Sequence, residues 1–334
     1  MNGKRWAALG IAVVLFGFSI GFNFLTTALF VDVDKLLNGL LGSDGEFMTE
    51  VIEQGTGFDE IAVLDIEGVI QDTGNSSSLL GTTGYNHKAF MDKLDMVNET
   101  SAIKGMILRV NSPGGGVVES AEIRDKILEI QKNGVKVYVS MGSMAASGGY
   151  YVSAPADKIF ASPETLTGSL GVIMQSVNYG KLAEKYGVDF VTIKSGPYKD
   201  IMSPTREMTD EERKILQTLI DNSYNQFVKI ISEGRGISDA EVRKLADGRI
   251  YDGRQALDVK LIDGLGTLDD TIAAMQKDLK LKNASVIRYT DQAGLGSLLN
   301  MSARKLMGTD LEKEGLTELL SRTNSPRLMY LYSH

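Results

Sequence analysis

With 334 residues, 43% of them hydrophobic and 23% charged, the chain can build a sizeable core and does not have the composition of a disordered protein. A net charge of −8 with no basic stripe argues against a nucleic-acid partner. Cysteine is absent and there are two histidines, His87 and His334, which excludes disulfides, thiolate chemistry and a metal centre built on several imidazoles. No cofactor or metal is therefore expected, and hydrolytic chemistry has to rest on Ser, Lys, Asp or Glu. A Ser–His–Asp triad would have to use His87, because His334 is the chain terminus.

From Trp6 to Val31 the chain carries no charge and is mostly apolar. A helix needs about 20 such residues to cross a hydrocarbon core of about 30 Å. Lys4 and Arg5 precede the run, and Asp32 and Asp34 follow it, which sets the N-terminus in the cytoplasm and the rest across the membrane. The run is longer than the apolar core of a signal peptide and no A-x-A site follows it, so an uncleaved single-pass anchor is expected. The predicted organisation is anchor over 1–31, an acidic, glycine-punctuated stalk over 32–57, a folded domain over 58–292 and a tail over 293–334.

From Asp59 the texture changes. EIAVLDIEGVI reads as a strand bent at Gly68, and AIKGMILRV (102–110) and VKVYVSM (135–141) as two more. Between the latter two, Val118, Ala121, Ile127, Leu128 and Ile130 suit one face of a helix that Gly134 ends. Strand, helix, strand in this order implies a right-handed parallel crossover and an α/β fold. Further strands are expected at Lys158–Ala161, Val172–Ser176 and Phe190–Lys194. Thr209 and Glu212 form a capping box before a long apolar-periodic helix that Gly234 ends, and shorter helices follow at Ser238–Leu245 and Leu268–Leu279.

Two glycine-rich turns stand at the ends of predicted parallel strands, where α/β proteins place ligands. Asn111-Ser112-Pro113-Gly114-Gly115-Gly116 opens the 117–133 helix and offers amides suited to a developing oxyanion. Ser143-Met144-Ala145-Ala146-Ser147-Gly148-Gly149-Tyr150 surrounds Ser147 with small residues that let a substrate backbone approach, and Gly148 leaves an unobstructed N–H. Spacing alone is equally compatible with a Ser/Gly turn packed tightly on the sheet. A serine without a histidine can use a lysine that burial keeps neutral, but spacing does not select one. Lys199 in Ser195-Gly196-Pro197-Tyr198-Lys199-Asp200 is one candidate among many.

Four segments resemble the signatures of bacterial signal peptide peptidase A: NSPGGG, MAASGGYYVSAPADKIFASPETLTGSLGV, SGPYKD and GRIYDGRQALDVKLIDGLG. They run in order between about Ile61 and Ala274. MAASGGYY and TGSLGV are specific, whereas NSPGGG is shared with the Clp protease subunit and, more loosely, with crotonases. The resemblance implies a Clp/crotonase-like fold of stacked β-β-α units and a Ser–Lys dyad with Ser147 as nucleophile and Lys199 as general base. It assigns the oxyanion donors to the Gly114 and Gly148 amides, and to Ser169 a hydrogen bond that orients the lysine. One copy of each motif corresponds to the short form of the family, which implies a ring-like homo-oligomer of eight subunits whose dyad is either contained in one subunit or shared between neighbours.

The implied activity is endopeptidase cleavage of leftover signal peptides and other small or apolar segments near the membrane. Two rivals remain: a crotonase-like acyl-CoA enzyme, which an extracytoplasmic domain suits badly, and a non-proteolytic scaffold. The apolar Leu328–Tyr332 run either lies in the substrate groove as a built-in inhibitor or belongs to a tail packed elsewhere or disordered.

Overall fold

The computed structural model describes residues 47–72, 85–290 and 328–332. The expected anchor, most of the stalk and most of the tail lie outside them. The chain divides into two compact units, and nearly all described residues belong to the one formed by Thr49–Tyr289 and Leu320–His334. No helix among the described residues is long and apolar enough to cross a membrane.

In chain order the elements are β1 (Met48–Glu53), β2 (Glu60–Glu67), α1 (His87–Glu99), β3 (Ile103–Ser112), β4 (Gly114–Gly116), α2 (Val117–Lys132) and β5 (Lys136–Ala146). There follow α3 (Gly148–Ser153), β6 (Lys158–Ala161), β7 (Leu166–Gly168), α4 (Gly180–Lys185), α5 (Asp210–Arg235) and α6 (Asp239–Leu245). The last are β8 (Ile250–Tyr251), α7 (Gly253–Asp258), β9 (Gly264–Leu265), α8 (Leu268–Asp278), β10 (Ser285–Thr290) and β11 (Met329–Leu331). The main sheet runs β1-β10-β2-β3-β5-β6-β9, with β7 on the far end of β5 and β8 on β7. From β10 to β9 all neighbours are parallel. The fold is mixed α/β, as expected.

A parallel sheet is covered on both faces, so its central strands are nearly all apolar. Ile61–Leu64 and Met106–Leu108 are fully buried. On one face Ile61, Val63, Ile107, Tyr138 and Val286 pack with Ile272 and Met275 of α8. Gly105 permits this approach, because a Cβ there would lie 2.4 Å from the Met275 sulfur. The turn from β2 passes through Gly68 at φ +83°, as its sequence position predicts.

Several elements differ from expectation. β1, the first element among the described residues, lies within the segment read as a stalk. α1 is an additional helix, capped by Asn86 and buried through Phe90, Leu94 and Val97. In α2 the buried face is Ser120, Ile123, Ile127 and Ile130, while Val118 is exposed, so the apolar stripe is rotated from the predicted one. The capping box of Thr209 and Glu212 opens α5, but the helix ends at Gly236 in the left-handed conformation and not at Gly234. Gly234 is needed for packing instead, since a Cβ there would come within 2.2 Å of the Ala154 carbonyl oxygen. Val172–Ser176 and Phe190–Lys194 form no strands. Their β-branched pattern finds no ladder within one chain apart from a single bridge between Ile173 and Met329.

Candidate active site

The site is built where β5 gives way to α3. β5 continues past its buried apolar stretch, with Ala145 in register with Ser112 of β3 and with Thr167 of β7. Ser147 then turns the chain sharply. Its N–H donates to the Gly168 carbonyl at 2.8 Å, and its own carbonyl accepts from Tyr151 N–H at 2.8 Å, the first bond of the helix. The turn forces Ser147 to φ 53° and ψ −113°. Such a conformation costs a non-glycine residue about 1–3 kcal/mol, and a strained strand-to-helix turn is how α/β hydrolases present a nucleophile. Ser147 is 1% exposed.

β4 lies alongside. Gly114 sits at φ +101°, and Ile70 N–H donates to its carbonyl at 2.8 Å while Gly116 N–H donates to the Ile70 carbonyl at 2.7 Å. A Cβ on Gly114 would fall 2.5 Å from the Gly148 amide nitrogen, and one on Gly148 would fall 3.1 Å from Gly114 Cα. The two glycines are thus in contact, as their proposed common role requires. In this structure the Gly114 amide donates to Ser112 Oγ at 3.0 Å, a partner the sequence did not announce.

The other side of β4 is occupied by β11. Leu331, Tyr330 and Met329 pair antiparallel with Gly114, Gly115 and Gly116, and Tyr332 N–H donates to the Pro113 carbonyl at 2.9 Å. This is β-augmentation, the way an extended peptide joins an exposed strand edge. The Tyr330 carbonyl oxygen lies against Gly114, 2.0 Å from where its Cβ would be. The Tyr330 side chain is 1% exposed, stacked on Tyr151 with ring centroids 4.8 Å apart and tilted against Phe227 at 4.8 Å. Its hydroxyl donates to the Ser223 carbonyl at 3.2 Å. Burial pushes the Tyr151 phenol up to about 12, partly offset by Arg124. The Leu328–Tyr332 run is therefore packed on the domain, along the glycine strand β4.

Ser169 also has a positive φ, 49°, and its N–H donates to the Arg249 carbonyl at 2.7 Å, directly after the Gly168 carbonyl that holds Ser147. Lys199 is exposed on a turn closed by its own N–H to the Gly196 carbonyl at 3.3 Å, and makes no hydrogen bond to Ser147 within the single chain. Next to it, Arg206 and Lys194 hold the Asp200 carboxyl well below the usual carboxylate range. His87, the one internal histidine, is engaged at both ring nitrogens, by Tyr85 Oη at 2.7 Å and Glu122 Oε2 at 2.7 Å. Its place in the fold is a buried polar cluster on α1 and α2, with no bond to Ser147.

Comparison with known proteins shows the family. The model of peptidase family S49 matches residues 129–282. A candidate signal peptide peptidase SppA of Enterococcus faecium is 40% identical over 347 aligned positions, covering 99% of this chain and 99% of that protein. The chain belongs to peptidase family S49. A candidate protease of Synechocystis is 44% identical over 57% of this chain and 70% of its own length. Protease 4 of Haemophilus influenzae is 31% identical over 90% of this chain, which corresponds to 53% of that longer protein. The chain is accordingly a serine-type endopeptidase, as its motifs imply. Within the peptidase, sequence reasoning missed the bond between Ser112 and the Gly114 amide and the Tyr151–Phe227 pair under Tyr330, and, on the separate turn of Lys199, the Arg206–Asp200 pair. Only Tyr151, four residues after Ser147, had a positional signal.

Proposed function

We propose that this peptidase is a membrane-anchored enzyme that cleaves signal-peptide remnants and other small or apolar peptide segments with a Ser147–Lys199 dyad. The observation that carries this reading is the strained, buried Ser147 at the head of α3, next to two touching glycines whose strand accepts an extended peptide edge-on. Neutral Lys199 takes the proton of Ser147 as the hydroxyl oxygen attacks the peptide carbonyl. The amides of Gly114 and Gly148 stabilise the oxyanion; Gly114 serves once its bond to Ser112 is released or shared. Lys199 then passes the proton to the leaving amine. A water deprotonated by the same lysine hydrolyses the acyl-enzyme and returns the proton to Ser147. Ser169 orients Lys199.

The substrate class rests on the family resemblance and on the name of the Enterococcus relative. The anchor over 1–31, with the N-terminus cytoplasmic and the catalytic domain extracytoplasmic, rests on hydropathy and charge. The parallel sheet and the glycine strand favour a Clp/crotonase-like arrangement. Assembly into a ring of identical subunits, with eight as the family expectation, accounts for the segment around Lys199. There Val191 is 89% and Ile193 98% exposed, and Tyr186, Val188 and Phe190 are exposed as well. Apolar side chains in such a run ask for a covering surface, and a second copy supplies one. Lys199 then meets Ser147 across a subunit boundary.

The test is peptide hydrolysis by the wild-type chain, Ser147→Ala and Lys199→Ala. Both variants are expected to be folded and inert, and wild-type activity to climb with pH, as a lysine base requires. A Lys199→Ala enzyme with most of its activity, or a flat profile between about pH 6 and pH 10, would remove lysine as the base.

A further inference from the structure

The residue after Lys199 is a carboxylate, and an acid so placed works against a lysine base. An unengaged Asp200 beside the Lys199 ammonium would favour the protonated form, which cannot accept the Ser147 proton. In this fold Asp200 is not free to do so. Arg206 Nε donates to Asp200 Oδ2 at 2.8 Å and Arg206 Nη2 to Oδ1 at 2.7 Å, a bidentate fork, and Nη2 reaches the Asp200 backbone carbonyl at 3.1 Å. Lys194 Nζ adds a third donor, to Oδ1 at 2.6 Å, and also closes the turn through the Pro197 carbonyl at 3.0 Å.

The same guanidinium continues into the body of the domain. Arg206 Nη1 donates to Glu212 Oε2 at 2.9 Å, and Nη2 to Oε1. Glu212 closes the capping box of α5 by accepting from Thr209 N–H at 2.9 Å, and its side chain is 2% exposed. α5 is anchored in turn by Phe227, Val228, Ile230 and Ile231. The segment carrying Arg206 is pinned as well, with Asn178 Nδ2 donating to its carbonyl at 2.7 Å. One planar cation is therefore held between a carboxylate on the lysine turn and a buried carboxylate in the first turn of α5. The cavity that Arg206 lines also carries Glu184 and Asp189, and Lys181 and Glu207, which pair with each other at 2.8 Å.

We propose that Arg206 is the positioning residue of Lys199: it fixes the lysine turn to the start of α5 and keeps the Asp200 carboxylate engaged away from the lysine. The inference rests on Lys199 being the base, and it holds whether Lys199 serves its own subunit or a neighbour. The two tasks have separate kinetic signatures. Loss of the clamp misplaces the base and lowers the kcat plateau reached at high pH. With the guanidinium gone Asp200 keeps only Lys194, and its less compensated charge moves the midpoint of the pH–kcat profile upward.

The experiment uses the full chain in detergent, with an internally quenched peptide of small apolar residues, and measures kcat and KM against pH together with Tm. Arg206→Gln is expected to lower the plateau about 10-fold and raise the midpoint by about one pH unit, with KM little changed. Asp200→Asn leaves Glu212 paired, so it also covers the case in which Arg206→Gln does not fold. It is expected to lower the plateau about as much with no shift of the midpoint. The double variant is expected to keep the lowered plateau and return the midpoint to the wild-type value, a rescue that general destabilisation would not produce. A wild-type plateau in folded Asp200→Asn, or an upward midpoint that persists in the double variant, overturns the proposal. Lys199→Ala is the control: if it stays active, the assignment of the base fails first and the proposal goes with it. If Lys199→Ala is inert while the Arg206 and Asp200 variants behave as wild type, the proposal alone fails.

Discussion

At Ser147 the backbone is held where only glycine rests without strain, at φ 53°. Replacing the serine by glycine removes both the nucleophile and the strain. Ser147→Gly is expected to be inert yet more stable than Ser147→Ala by about 1 kcal/mol, which corresponds to a Tm difference of a few degrees by calorimetry. Equal Tm values for the two variants would mean that the turn stores no strain. Ser147 was visible in the sequence because small residues and a following glycine are what such a turn needs; choosing it over an ordinary Ser/Gly turn took the family resemblance. Gly148 and Gly114 were legible for the same reason, since each must leave room for a neighbouring backbone. Ser112 and Arg206 were not. Their partners, the Gly114 amide and the Asp200 and Glu212 carboxylates, are brought to them by turns whose paths no periodicity encodes.

Among the elements, β11 and β4 make a two-stranded sheet in which three glycines pair with Leu331, Tyr330 and Met329, and Tyr330 packs against the Tyr151–Phe227 pair. Any substrate that uses β4 has to displace that strand. Deleting the residues beyond Arg322 is expected to raise the rate on a free peptide several-fold, and Tyr330→Ala to act in the same direction through loss of its burial. Both are read as initial rates at substrate concentrations below KM, and unchanged rates would mean that the tail strand leaves the groove at no cost. The elements best legible in the sequence carried their own local signals. α5 opens on a capping box, α6 on Ser238 and α8 on Thr267, each accepting a backbone N–H from its own first turn. The misread ones depended on a surface elsewhere. Val172–Ser176 and Phe190–Lys194 have the β-branched content of strands, but a strand exists only through its neighbour, and the described residues supply none beyond the Ile173–Met329 bridge.

At the scale of the whole molecule, a well-packed sheet and an exposed apolar arm coexist in one chain. If the arm delivers Lys199 to a neighbour, Ser147→Ala and Lys199→Ala chains, each inert alone, are expected to regain part of the activity when co-assembled. Within such a ring some boundaries pair an intact serine with an intact lysine. No recovery in mixed rings, demonstrated by differently tagged subunits, would confine the dyad to single chains. The strand on β4 has one further consequence. Because β11 is covalently joined to the domain whose groove it fills, its effective concentration there is of millimolar order and does not fall on dilution. A peptide arriving from solution at micromolar concentration competes against that fixed supply and mostly loses. If substrates bind along β4, one held at high local density close to the enzyme competes on equal terms, and selection is then by crowding as well as by sequence.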